Sequence, residues 1–113
     1  MQGGKGMDYR EFVNSAVEKK RDEIVNVSDQ IFNFAETGFH EFKTAKLYEE
    51  ILKKEGFQVE MGLAGMPTAF KAQYGEGKPV VGFLAEYDAL PELSQKGGCT
   101  TRTPADGDNP DGH

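Results

Sequence analysis

The sequence predicts an α/β fold in which helices pack on a mixed, mostly parallel sheet. Two observations support this prediction. In the first half of the chain, large apolar residues recur every three or four positions, which is typical of helical faces. Beyond Gly56 they alternate with polar residues, and a last run is apolar throughout, which is typical of strands. Helices followed by strands pack most simply as layers of one domain, and 113 residues suffice for one.

Two helices are predicted. The first begins at Asp8, which forms a capping box with Glu11, and ends near residues 37–38, where glycine permits a left-handed cap. The charged residues 19–23 interrupt its apolar stripe and are interpreted as a solvated face or a loose turn. The second helix closes at Gly56, and its apolar side consists of Phe42, Ala45, Tyr48, Ile51 and Leu52.

Three strands are predicted after these helices. The first two are short and half-buried, because apolar and polar residues alternate in each; the inward residues are Phe57, Val59 and Met61, then Thr68, Phe70, Ala72 and Tyr74. A loop follows at 75–78. Residues 80–85 are apolar on both faces, so they are expected to form a central strand covered on both sides.

Composition limits the possible partners and compartments. The net charge is -6 and the pI about 4.9, which argues against nucleic acids and anionic membranes. No apolar run approaches the roughly 20 residues that cross a bilayer, and residues 1–10 lack the apolar core of a signal peptide. A single cysteine, Cys99, forms no internal disulfide. These features favour a cytoplasmic protein.

The chain divides into three parts by composition. Residues 1–7 are expected to be a disordered start, and residues 8–96 carry nearly all the large apolar side chains of one partial domain. Residues 97–113 are almost entirely polar or glycine, and this segment is interpreted as a flexible active-site loop that is truncated.

Glu86 and Asp88 are the candidate functional pair. They follow the predicted central strand, where open α/β sheets place their ligands. On an extended backbone, side chains two residues apart point to the same face, so both carboxylates are able to converge on a cation or a histidine. The alternative is an ordinary strand-end loop with its acids in water.

Four collinear segments resemble the co-catalytic metal amidohydrolases of the aminoacylase–carboxypeptidase superfamily. The most specific is Phe-Leu-Ala-Glu-Tyr-Asp-Ala-Leu-Pro at 83–91; the others lie at 35–45, 52–59 and 65–70. The sequence is most similar to the branch of aminobenzoyl-glutamate hydrolases, Xaa-dipeptidases and hippurate hydrolases. This resemblance implies the amino-terminal piece of a zinc-exopeptidase-like catalytic domain.

The resemblance also assigns roles to individual residues. It implies that Asp88 orients the metal centre, while Glu86, a weaker candidate, stands where many members have a ligating histidine. His113 is expected to open the family's His-x-Cys-Gly-His motif. The metal ligands and the general-base glutamate are then expected beyond residue 113, with none within the chain.

The implied activity is hydrolysis of an amide bond in N-acyl- or aminoacyl-amino acids by the parent enzyme. Two divalent ions, Zn²⁺ or Mn²⁺, are implied as cofactors that polarise the scissile carbonyl and bind the attacking water. The parent is expected to act as a homodimer on a small substrate. The 113-residue chain itself is expected to be inactive and to hold no stoichiometric zinc.

Simpler roles are expected for three further residues, and two other functions compete with hydrolysis. His40 is expected at the surface, Tyr87 in packing rather than proton donation, and Cys99 with His113 forms a poor metal site. The competing functions are a non-catalytic interaction module and a receiver-like phosphoacceptor domain; the latter fits badly because both helices precede the strands.

We predict that the gene continues past His113 with Cys-Gly-His within a few codons, because Gly112 and His113 follow a glycine- and aspartate-rich loop. Sequencing the gene in this region checks the expectation. A stop codon directly after His113, or an unrelated continuation, contradicts it.

Overall fold

A computed structural model of the chain describes residues 8–105 and Gly112. These residues belong to two compact units, one ending at Gln30 and the other beginning at Ile31. The described elements are three α-helices, a short 3-10 turn and two strands. Within this part of the chain, no helix has the length and apolar content needed to cross a bilayer.

The first helical region is two helices rather than one. α1 spans Tyr9–Lys19 and α2 spans Arg21–Phe34, with the break at Lys20. Asp8 caps α1 as predicted, because its carboxylate accepts hydrogen bonds from the amides of Arg10 (3.0 Å) and Glu11 (3.4 Å). The prediction of one continuous helix was wrong, and of its two interpretations the loose turn is the one observed.

Charged side chains join the two helices across this break. Arg21 forms two hydrogen bonds with Glu18, at 2.9 and 2.5 Å, and Lys20 pairs with Glu23 at 2.9 Å. The hydrogen bond from Arg21 holds the pKa of the Glu18 carboxyl below its usual value. The side chains of Glu18, Lys20 and Arg21 are exposed to solvent and that of Glu23 is 37% exposed, so these pairs contribute little to stability.

α2 also ends earlier than the glycine at position 38 suggested. The helix stops at Phe34, and the left-handed backbone falls on Ala35 (φ 46°) and Phe39 (φ 67°), not on Gly38. The cause is a tertiary contact. The backbone of Glu36 and Thr37 pairs with Ala89, and a backbone engaged in that pairing cannot continue a helix.

The second predicted helix is confirmed as α3, Phe42–Lys54. Thr44 and Ala45 on its inner face are buried. It ends as expected near Gly56, which has a φ of 92°, and the amides of Gly56 and Phe57 bond to carbonyls of the last turn. α3 packs against the first strand.

The first two predicted strands are also confirmed. β1 spans Gln58–Met61 and β2 spans Phe70–Gln73; they pair in antiparallel register, with Met61 opposite Phe70. Alternate residues in each strand are half-buried, as the period of two predicts. Gly62, at φ 76°, begins the turn that joins them.

The prediction of a third, central strand at residues 80–85 was wrong for the described residues. Residues 80–85 form no strand and no part of the described residues pairs with them. Their large side chains lie in solvent: Phe83 is 95% exposed and Leu84 is 99% exposed. An apolar run becomes a central strand only when strands pair with it and layers cover it, and residues 8–105 supply neither.

The described residues therefore contain helices and a two-stranded antiparallel sheet, which agrees with part of an α/β domain. The one parallel pairing among them is the isolated bridge between Thr37 and Ala89. A larger, mostly parallel sheet stays a prediction.

We expect Phe83→Ala to change the free energy of unfolding of the chain by less than about 0.5 kcal/mol, because the side chain already lies in water. Phe70→Ala is the matched control, and it should cost about 2 kcal/mol because Phe70 packs on two tyrosine rings. Urea unfolding measures both. A loss at Phe83 as large as that at Phe70 contradicts the exposed placement.

Candidate functional site

Burial alternates along the segment that holds the candidate carboxylates. Glu86 and Asp88 are exposed, Tyr87 between them is half-buried, and Ala89 is buried at 8% exposure. Both acids are thus exposed on either side of a half-buried residue. They do not lie at the end of a buried strand, however, because residues 80–85 before them are unpaired. Their orientation comes from neighbouring residues instead.

Tyr87 anchors the segment on one side of Asp88. Its ring packs against Tyr48 of α3 at 5.5 Å and Phe70 of β2 at 6.1 Å, measured between ring centroids. Its hydroxyl donates a short hydrogen bond to the carbonyl of Thr68. The expectation of a packed aromatic agrees with this environment, since the hydroxyl is engaged with the protein's own backbone.

The environment of Tyr87 makes its phenol a weaker acid. Burial of the ring is the main cause that raises the pKa of Tyr87, and the negative charge of Glu41 adds to it, followed by Tyr48 and Glu36. A phenolate at this position would be partly desolvated and would be repelled by the carboxylates of Glu41 and Glu36. The hydroxyl therefore stays protonated and keeps its bond to Thr68.

Ala89 anchors the segment on the other side of Asp88. Its amide donates a 2.7 Å hydrogen bond to the carbonyl of Glu36, and Ala89 forms a parallel bridge with Thr37. Ala35 and Ala89 are both buried, so this backbone contact is shielded from water. Asp88 is thus an exposed residue between two neighbours that are held in place.

The side chain of Glu36 provides hydrogen-bond acceptors for the first turn of α3, although Glu36 lies outside the helix. One of its carboxylate oxygens accepts the amide of Lys43 at 2.8 Å; the other accepts both the amide and the hydroxyl of Thr44, at 2.7 and 2.8 Å. Glu41, the residue before the helix, makes no capping bond with its own side chain. A residue from outside the helix therefore satisfies the amides that start it.

Residues 94–105 form a loop built around one amide side chain. Gln95 donates to the carbonyls of Lys96, Cys99 and Thr101, and its oxygen accepts the amide of Thr103 at 3.0 Å. The Lys96 amide also bonds to the Thr103 carbonyl, at 2.7 Å. This part of the predicted active-site loop has a defined, hydrogen-bonded path.

The chain returns to the candidate site at Gly112. Gly112 is buried and forms an antiparallel bridge with Pro91, three residues after Asp88. His113, expected to open the metal-binding motif, lies outside the described residues. Its neighbour in sequence is therefore placed beside the segment that holds Asp88.

The described residues do not complete a metal site. Glu86 and Asp88 offer hard oxygen ligands, yet within residues 8–105 and Gly112 no three histidine, cysteine or acidic side chains converge. Zinc sites need three or four protein ligands. Cys99 is free and exposed, and His40 is exposed with a ring nitrogen 3.0 Å from the Gly38 carbonyl, which agrees with its expected surface position.

Comparison with curated proteins finds hydrolases. The chain is 41% identical over 108 residues to one of the subunits of p-aminobenzoyl-glutamate hydrolase from Escherichia coli, a match that covers 93% of the chain. It is 36% identical over 87 residues to each of thermostable carboxypeptidases 1 and 2 of Saccharolobus solfataricus, and these matches cover 75% of the chain. The chain is homologous to these hydrolases. The resemblance inferred from the four sequence segments is confirmed.

The similarity covers a limited part of each relative. The chain spans 22% of the length of each of these three hydrolases. Because 93% of the chain is matched to the Escherichia coli hydrolase, the matched stretch includes Glu36, Tyr87 and Asp88. No protein-family model and no solved structure matches the chain.

Sequence reasoning missed Glu36, Thr44 and Gln95. Glu36 and Thr44 lie within one of the segments that resemble the hydrolase family, but their hydrogen bonds join residues seven and eight positions apart across a loop. Helical periodicity carries no signal for such a contact. A glutamate shortly before a helix whose first turn has a buried threonine is the one available hint.

We expect Tyr87→Phe to lower the free energy of unfolding at neutral pH by about 1 kcal/mol, through loss of the bond to Thr68. The raised pKa adds a second effect. Above about pH 10, unfolded chains lose this proton before folded ones do, so wild-type stability falls as pH rises through the window up to the folded pKa.

Urea unfolding at pH 7 and near pH 11 tests both effects, with Tyr74→Phe as the control because Tyr74 is 70% exposed. The stability gap between wild type and Tyr87→Phe should narrow at the higher pH. A gap that is the same at both pH values shows that Tyr87 does not titrate in this environment.

Proposed function

We propose that the full protein to which this chain belongs hydrolyses an amide bond in N-acyl- or aminoacyl-amino acids, as an amidohydrolase or metallopeptidase of dipeptidase or aminoacylase type. The observation that carries the proposal is the 41% identity to a p-aminobenzoyl-glutamate hydrolase over nearly the whole chain. The related carboxypeptidases support it, since they also carry hydrolase names.

Asp88 is the residue to which we assign a role in this chemistry. Its exposed carboxylate lies between Tyr87 and Ala89, whose positions are held by contacts with α3, β2 and Glu36. A carboxylate held in this way is suited to fix the orientation of a metal-bound group rather than to move with the solvent. Glu86 is also exposed, but it directly follows the unpaired residues 80–85 and is therefore the weaker candidate.

Divalent ions, Zn²⁺ or Mn²⁺, belong to the proposal as cofactors of the full protein, where they supply Lewis-acid activation of the scissile carbonyl. Glu86 and Asp88 alone do not make a site for them, so their ligands are assigned to residues outside the described part of the chain. In the proposal, His113 marks the start of the motif that supplies these ligands beyond residue 113. The role of Asp88 is to orient such ligands.

The remaining parts of the proposal concern partners and location. A small acyl- or aminoacyl-amino acid is the substrate, and the acidic balance of the chain disfavours nucleic acids and anionic membranes. One relative is named as a subunit, which supports an assembly of more than one polypeptide, and a homodimer is the form we propose. A cytoplasmic location is consistent with the single cysteine.

A non-catalytic interaction module is the competing function that an observation favours. Val80, Val81, Phe83 and Leu84 expose an uncharged apolar strip that another protein surface would cover well. Stoichiometric metal binding by the full-length gene product separates the two functions, because a module has no need of it. The receiver-like phosphoacceptor has no comparable support.

We expect Asp88→Ala in the full-length protein to lower kcat/KM for an acyl-amino acid about 10- to 100-fold. The melting temperature should stay within about 2 °C of wild type, because the side chain is exposed and no apolar volume is lost. Steady-state kinetics at saturating Mn²⁺ or Zn²⁺, together with thermal unfolding, measure both quantities.

Asp29→Ala is the control, since it removes an exposed aspartate from α2. Glu86→Ala should have a smaller effect than Asp88→Ala. Activity of the Asp88 variant within about threefold of wild type rules out the assigned role. A collapse of the melting temperature along with activity makes Asp88 a structural residue instead.

A further inference from the structure

We propose that Glu36 is a positioning residue for Asp88, because it links the start of α3 to the peptide group that follows Asp88. Its effect on turnover rests on the proposed hydrolase function. Its effect on the backbone at Asp88 does not, and the two are measured separately below.

The Glu36 side chain is held in one conformation by its hydrogen bonds to α3. Both carboxylate oxygens are engaged, with hydrogen bonds of 2.7–2.8 Å from the Lys43 amide, the Thr44 amide and the Thr44 hydroxyl. Thr44 is fully buried, so its two bonds to Glu36 are partly protected from competing water. Bonds to a charged acceptor are also the stronger kind. The flexible side chain of a glutamate is thereby tied to a rigid helix.

The backbone of Glu36 connects this fixed side chain to the residue after Asp88. The Glu36 carbonyl accepts the Ala89 amide at 2.7 Å, and Thr37 bridges to Ala89 directly after it. The peptide group between Asp88 and Ala89 is planar, so holding the Ala89 N–H also holds the carbonyl carbon of Asp88. The backbone rotation on the carboxyl side of Asp88 is therefore set by Glu36.

The residue before Asp88 is held by contacts that do not involve Glu36. Tyr87 packs against both Tyr48 and Phe70 and is bonded to the carbonyl of Thr68. With the residue before and the residue after both held, little freedom remains at Asp88 except rotation of its own side chain. Release of either anchor frees the exposed carboxylate to move.

The charge and length of Glu36 both matter for this link. A glutamine has one acceptor oxygen, and its NH₂ group would face an amide or hydroxyl donor where Glu36 has its second oxygen. Glu36→Gln keeps the size of the side chain yet gives up at least one bond to α3. Thr44→Val is a milder change, since it removes the hydroxyl bond and leaves both amide bonds possible.

Amide hydrogen exchange at Ala89, followed by NMR in the 113-residue chain, tests the link. Glu36→Gln should speed exchange of this amide about tenfold, and Thr44→Val should give a smaller increase in the same place. Asp8→Asn is the matched control, because it removes the carboxylate that caps α1 and should leave Ala89 exchange within about twofold of wild type.

Two exchange results overturn the proposal. In one, the Lys43 and Thr44 amides exchange faster in Glu36→Gln while Ala89 does not, so that Glu36 caps a helix and nothing more. In the other, Ala89 speeds up only as much as the paired amides of β1 and β2, which marks general destabilisation. Thr44→Val keeps the test decisive if Glu36→Gln does not fold.

The effect on turnover is measured in the full-length protein with p-aminobenzoyl-glutamate as the probe. Glu36→Gln should lower kcat about tenfold with KM within about twofold of wild type, because a misplaced Asp88 alters the reacting geometry more than substrate binding. Asp8→Asn should leave both constants unchanged.

The outcomes separate the two proposals. Faster Ala89 exchange with unchanged kcat overturns the positioning role in catalysis. If the wild-type protein hydrolyses neither this probe nor other acyl-amino acids, the proposed function fails, and the exchange result alone then decides whether Glu36 sets the backbone at Asp88.

Discussion

A helix begins with amide groups that need acceptors, and α3 obtains its acceptor from the Glu36 carboxylate, outside the helix. Much of the second unit follows from this one requirement. To reach the helix, the chain has to leave α2 at Phe34 and turn through the left-handed conformation of Ala35. Because the chain turns at Ala35, the Glu36 carbonyl and Thr37 are available to pair with Ala89. Helix start, loop path and placement of the 86–89 segment therefore form one connected arrangement.

The segment that carries the candidate carboxylates has two different environments along its length. At its end, Tyr87 and Ala89 are packed and hydrogen-bonded; at its beginning, Phe83 and Leu84 are almost fully exposed. The orienting role proposed for Asp88 requires a carboxylate that is accessible and yet well positioned. Asp88 meets both conditions because its neighbours, rather than its own side chain, make the buried contacts.

Local features of the fold were predictable and long-range ones were not. α3, its glycine end and the alternating strands β1 and β2 follow from periodicity and from turn chemistry within a few residues. The predicted central strand at 80–85 failed because strand formation depends on partners elsewhere in the chain, which composition does not reveal. The role of Glu36 was not predicted for the same reason, because it depends on contacts with residues elsewhere in the chain. Asp88 was proposed because it lies in a segment that resembles the hydrolases, whereas its two anchors depend on contacts between distant residues.

The unpaired apolar strip at 80–84 has a consequence for how such a chain is made. α3, β1 and β2 contact one another over short sequence distances and are able to form as soon as they leave the ribosome. Residues 80–84 emerge next, uncharged, exposed and without a described strand partner. A nascent polypeptide in this state exposes the kind of segment that chaperones bind and that adds to the open edge of another sheet. Synthesis of this region at high concentration therefore favours intermolecular association until the strip is covered.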